Sequence, residues 1–128
     1  MRLIALAALL ALPGVAHAQT PASVEQPLLQ SGRVKGGAHI TGGGLIENPP
    51  RCIADGLQAS FDWDAWPVPP VFQWIGEVGG VSDHELRRTF NCGVGFILIV
   101  APENVEAVLE GLLGDGEVAF VCGQLEAA

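Results

Sequence analysis

The sequence predicts an α+β fold, a mixed sheet with helices packed on it, and three observations point there. Residues 95–100 (GFILIV) form an unbroken apolar run of strand length, the pattern of a strand buried on both faces. Helix signals flank it: Pro70 ahead of Val71, Phe72, Ile75 and Val78, and Pro102 ahead of Val105, Val108, Leu109, Leu112 and Leu113. Shorter strand candidates at 38–41, 58–62 and 118–122 are interspersed with those helices, which favours one layered domain.

Taken in order, residues 1–18 read as a secretory signal-like segment. Arg2 is the positive end, residues 3–12 are Leu, Ile and Ala throughout, Pro13-Gly14 breaks the run, and Ala16-His17-Ala18 is a small-x-small cleavage pattern. The apolar run is shorter than the ~20 residues a bilayer span needs. Residues 19–27 are polar and proline-containing and read as a linker. The folded part is expected over 28–128.

Within it, 28–34 reads as the last turns of a helix that Gly36-Gly37 terminates. A strand over Ala38–Thr41 runs directly into Gly42-Gly43-Gly44. Pro49-Pro50 stops any helix begun at Leu45. The alternation of 58–62 predicts a half-buried strand. Trp66-Pro67-Val68-Pro69-Pro70 is a rigid turn into the helix that Gly79-Gly80 ends. Ser82 and Glu85 form a capping box for a helix to about Thr89. Gly114-Asp115-Gly116 turns the chain into the last strand. Trp63, Trp66 and Trp74 are expected as core or interface anchors.

The 128 residues suffice for one domain. Charged residues make up 16%, below the roughly 25% of ordinary soluble domains, so part of the surface is expected to meet a partner. The formal net charge of -8, with no basic stripe, argues against nucleic acid and against anionic membranes. Three cysteines, Cys52, Cys92 and Cys122, include no CxxC pair and read as small buried hydrophobes rather than a disulfide framework. There is no Ser-His-Asp signature, Walker lysine or zinc pattern, and His17, His39 and His84 do not cluster; no metal ligands are expected from this chain.

Chemistry concentrates in two segments. Thr41-Gly42-Gly43-Gly44 follows a strand, and successive glycines let amides converge on an anion, though such a run also serves as a plain turn. His39, Glu47, Asn48 and Arg51 lie beside it. Arg51 suits a phosphate, and His39 suits either proton transfer or a satisfied core position. The second segment, Arg88-Thr89-Phe90-Asn91-Cys92-Gly93-Val94-Gly95, is a polar corner before the central strand, fit for a ligand or for tight packing.

Read together, AHITGGGL (38–45), ENPPR (47–51), WPVP (66–69) and RTFNCGVG (88–95) resemble phosphoribosylformylglycinamidine cyclo-ligase, also called aminoimidazole ribonucleotide synthase, over about 28–123. The resemblance implies part of that enzyme's C-terminal domain and an ATP- and Mg-dependent ring closure in de novo purine synthesis. It implies a phosphorylated ribonucleotide substrate held by Thr41, Gly42, Gly43, Gly44, Glu47, Asn48 and Arg51, with His39 and Asn91 as the catalytic candidates. It further implies, as partner, an N-terminal half with its own glycine-rich loop, metal-binding acids and dimer surface, or a homodimer partner. Whether the chain is itself an enzyme stays open. The alternatives are a non-catalytic phosphate- or nucleotide-binding module and an inactive gene-fusion remnant. The family implies a cytoplasmic site, and the first 18 residues imply export.

Overall fold

The computed structural model describes residues 4–10, as backbone, and residues 30–128. The predicted cleavage motif at 16–18, the linker at 19–27 and the start of the predicted helix at 28–29 lie outside the described residues. The elements in order are β1 (Ile4–Leu10), β2 (Val34–His39), α1 (Gly44–Glu47), a 3-10 turn (Pro49–Cys52), β3 (Leu57–Phe61), α2 (Pro70–Gly79), α3 (Asp83–Thr89), β4 (Phe96–Val100), a second 3-10 turn (Pro102–Asn104), α4 (Val105–Gly114) and β5 (Val118–Ala127).

The fold is α+β. One five-stranded sheet runs in the order β2-β4-β1-β5-β3, and each of its four pairings is antiparallel, where the sequence led us to expect a mixed sheet. The reason lies in β1. Strands β4 and β5, joined through α4, run in the same direction as each other, which is how a parallel crossover reads in sequence. Because β1 lies between them and runs against both, no parallel ladder forms. The apolar core of the predicted leader, residues 4–10, is therefore the middle strand of the sheet.

Strand β4 is interior, and its side chains divide between two cores, one on each face. Ile97 and Ile99 join Ile40, Leu45, Trp66, Leu86, Val94, Cys122 and Leu125 on one face. Leu98 and Val100 pack with Val108 and Leu112 of α4 on the other. Each fully buried aliphatic side chain of this kind contributes roughly 1.5–3 kcal/mol. The continuous apolar run is needed because both faces are covered.

The helix expected to run to Val34 does not: residues 31–32 are a turn, and β2 begins at Val34 with Gly36 and Gly37 inside it and ends at His39, short of the expected Thr41. Packing overrides the glycine signal here. A Cβ on Gly37 would lie 2.9 Å from the Phe96 ring, and one on Gly36 would lie 3.3 Å from the Cys52 carbonyl oxygen. These glycines let β4 and the first 3-10 turn approach the strand. The last strand likewise outruns its expected end at 122. Gly123 continues it, since any side chain there would overlap the Ser60 carbonyl in the paired β3.

Helix α3 starts as expected, with Ser82 Oγ accepting from the Glu85 N–H at 3.3 Å. Helix α2 buries no residue fully. Phe72 and Ile75 are half-buried, whereas Val71, Trp74 and Val78 are 49%, 61% and 69% exposed. Among the described residues no helix is long and apolar enough to cross a membrane.

Candidate functional site

The glycine loop is built where β2 leaves the sheet. The Ile40 N–H donates to the Gly95 carbonyl at 2.9 Å, holding the strand end beside the start of β4. The chain then turns, with the Gly44 N–H donating to the Thr41 carbonyl at 2.9 Å. Gly43 (φ 106) and Gly44 (φ 56) occupy conformations that residues with a Cβ resist.

Asn48 holds the loop closed. It is 4% exposed, and its Oδ1 accepts from the Thr41 N–H at 2.7 Å while its Nδ2 donates to the Gly42 carbonyl at 3.1 Å. The side chain predicted to line a substrate cleft is thus committed to the backbone of the loop. Of the loop amides, those of Thr41 and Gly44 are used internally. Those of Gly42 and Gly43 have no protein acceptor among the described residues. At most two of the three expected glycine amides are left for a ligand, because the Gly44 N–H closes the turn.

The two polar segments predicted separately meet at Gly44. A Cβ on this residue would overlap the carbonyl oxygens of Arg87 and Phe90, so only glycine lets the loop rest against the end of α3. Arg88 ties them again, with its guanidinium 3.3 Å from Glu47 and 2.9 Å from Glu85. The hydrogen bond and charge of Arg88 hold the Glu85 carboxyl below its usual range, and Glu85 in turn holds the guanidinium in its charged form. Glu85 therefore completes only half of the predicted capping box.

Asn91 builds the corner. Its Oδ1 accepts from the Gly93 N–H at 2.9 Å and its carbonyl from the Val94 N–H at 2.9 Å. Cys92 takes φ 51, and its carbonyl accepts from Trp66 Nε1 at 3.0 Å, fixing the corner against the core. His39 is exposed at the end of β2, its ring stacked beside Phe96 at 6.2 Å between centroids, so it is not a core histidine. Arg51 is exposed on the 3-10 turn and makes no ion pair among the described residues. Its N–H donates to the Asn48 carbonyl at 3.2 Å, which sets it one turn beyond the loop.

Arg88 and the clamping role of Asn48 were not singled out from sequence. Arg88 was visible only as part of a polar cluster, and its bond to Glu47 spans 41 positions. An open hollow of about 630 Å³ lies beside β3, bounded by Leu45, Ile46, Pro50, Leu57 and Trp63 among others. It does not include Thr41, Gly42 or Gly43, so the two unclaimed amides, of Gly42 and Gly43, lie outside it. Among the described residues no three His, Cys, Asp or Glu side chains gather as a metal site, and the loop's one carboxylate, Glu47, is held by Arg88. These residues do not by themselves fit a Mg ion.

The family described as AIR synthase related protein, C-terminal domain, matches residues 12–128. Over 100 residues the chain is 49% identical to a phosphoribosylformylglycinamidine cyclo-ligase of Burkholderia lata and to one of Burkholderia cenocepacia, covering 78% of this chain and 28% of each relative. The protein of the same name from Burkholderia vietnamiensis is 48% identical over 101 residues, 79% of this chain and 29% of that relative. The chain thus spans under a third of the length of these curated relatives. The matched length places this chain in the family of AIR synthase related proteins, to which it belongs through their C-terminal domain.

Proposed function

We propose that this chain contributes the phosphate-binding face of a cyclo-ligase of purine synthesis, the reaction that takes formylglycinamidine ribonucleotide to aminoimidazole ribonucleotide. One observation carries the reading. The Gly42 and Gly43 amides are unclaimed on a loop whose other polar backbone groups are held by Asn48 and by the turn. Two such donors, with the Arg51 guanidinium one turn away, suit the oxygens of a phosphorylated ribose. His39 is exposed beside the loop and is the residue able to move a proton there. Asn91 braces the neighbouring corner, the Thr41 N–H is taken by Asn48 and Glu47 pairs with Arg88, so these three shape the loop's surroundings rather than react.

ATP with Mg supplies the activation of the substrate's amide oxygen in this reaction. The described residues offer no acid cluster for the ion, so the donors for it and for the nucleotide come from the remaining length that the relatives have. The role of this chain is to hold the ribonucleotide phosphate, orient the substrate and exclude water on one side.

Calorimetry of the full chain with the ribonucleotide product tests the reading. Binding is expected, weakened at least about tenfold by Arg51→Met, the loss of one charge-assisted contact. Undiminished binding in Arg51→Met, or none in the parent, removes the proposal. Ring closure on mixing with the N-terminal part of a Burkholderia relative would make the chain half of an enzyme. Binding without ring closure would leave a non-catalytic module.

A further inference from the structure

The centre of the sheet is occupied by the stretch whose composition is that of an export leader. Strand β1 pairs with β4 from Ala5↔Val100 to Leu9↔Phe96, and with β5 from Ile4↔Leu125 to Leu10↔Val118. Strands β4 and β5 do not pair with each other. Without β1 the sheet is two separate pairs, β2 with β4 and β3 with β5, and a two-stranded sheet is marginal in water. The edge so opened on β4 carries Ile97, Leu98, Ile99 and Val100, all buried in the folded chain. An apolar edge of this kind recruits another strand.

We infer that the space between β4 and β5 is a docking slot for an extended apolar segment of seven residues, and that its occupant is this chain's own N-terminal segment, Ile4–Leu10. The segment contains only Ile, Leu and Ala, with no proline to interrupt a ladder and no charge to bury. A strand at the centre of a sheet favours an unbroken apolar run, and a leader core requires one. One composition therefore serves both uses, and they exclude each other. A cut after Ala18 leaves the strand held by its two ladders alone, and its departure divides the sheet. Retention of the N-terminal segment is thereby a condition of the folded domain, whatever the domain binds.

The test uses the full chain with residues 19–25 replaced by a specific protease site. In the uncut protein, amides of Leu6–Leu9 are expected to resist hydrogen exchange together with those of Ile97–Val100 and Ala119–Val121. After cutting, the fragment from 1 to 18 is expected to co-elute with the domain. If it leaves, the β4 and β5 amides are expected to lose protection at least tenfold. Ala7→Pro in the uncut chain, which removes a donor opposite Leu98 and Val121, is expected to speed exchange at those positions by about 100-fold. Exchange of residues 4–10 at free-peptide rates in the uncut chain overturns the inference. So does departure of the fragment with unchanged protection at Ile97–Val100.

Discussion

Gly44 lies against the Arg87 carbonyl so closely that the space a methyl group would need is already filled by that oxygen. The glycine run is thus not uniform in purpose. Gly44 is required for packing, Gly43 (φ 106) for backbone conformation, and Gly42 has open space around it. Gly44→Ala combines left-handed strain with overlap and is expected to cost about 3 kcal/mol. Gly42→Ala is expected to stay within about 1 kcal/mol of the parent. Urea denaturation of both variants checks the contrast, and equal losses would contradict it.

Removing the Asn48 side chain should loosen the loop without disturbing the sheet. Asn48→Ala leaves the Thr41 N–H and the Gly42 carbonyl without their partner. Gly42 is exposed and water can reach it, so the cost is expected near 2 kcal/mol rather than the full penalty of two buried groups. Asn48→Asp keeps the acceptor and loses the donor, and should fall between. Faster amide exchange confined to 41–44 would accompany both changes.

Stability should decline in alkali through a thiol that takes no part in the site. Burial pushes the Cys122 thiol up to about 12, whereas an unfolded thiol ionises near its ordinary value of 9.0. The folded state therefore resists ionisation. No penalty exists below pH 9, and between 9 and 12 stability falls with rising pH by up to ~1.4 kcal/mol per pH unit. Denaturation of Cys122→Ala against the parent, from pH 8 to 11, should show a weaker pH slope in the variant. In the native protein at pH 8, Ellman's reagent should titrate the half-buried Cys52 well before Cys92 and Cys122.

The Arg88 guanidinium should be readable through its neighbour. It holds the Glu85 carboxyl low, so whatever stability this pair adds is present above the ordinary carboxylate range and is lost as pH falls through the lowered value. In Arg88→Met the Glu85 midpoint, followed by NMR, should move up towards that of a free glutamate. Overall stability should change little, because the ion pairs are exposed and screened by solvent.

Much of the architecture was legible because it rests on local signals. Pro70, Ser82 and Pro102 stand where helical segments begin, and the six apolar residues before Ala101 mark β4 as interior. What was not legible depends on contacts distant in sequence. Gly36 and Gly37 carry the composition of a helix stop, yet the Phe96 ring and the Cys52 carbonyl decide their use. The segment from Ile4 to Leu10 has a leader's composition, and only pairing with residues beyond position 95 gives it a place in the sheet. In the site, the residue types at 41–48 announced a tight loop. That Asn48 would be spent on bracing it, leaving two amides open, follows from geometry that spacing does not encode.

The uneven covering of α2 gives the molecule a built-in optical reporter. Trp66 is buried with its indole N–H bonded, Trp63 lies beneath the Arg87 guanidinium at 4.0 Å, and Trp74 stands 61% in water. Emission from Trp74 should therefore lie to the red of the other two. Any molecule settling on the Val71–Trp74–Val78 stripe would shift that component to the blue, while melting of the core would shift Trp63 and Trp66 the opposite way. With Trp74→Phe silencing the outer signal, a single spectrum separates events at the helix surface from events in the interior.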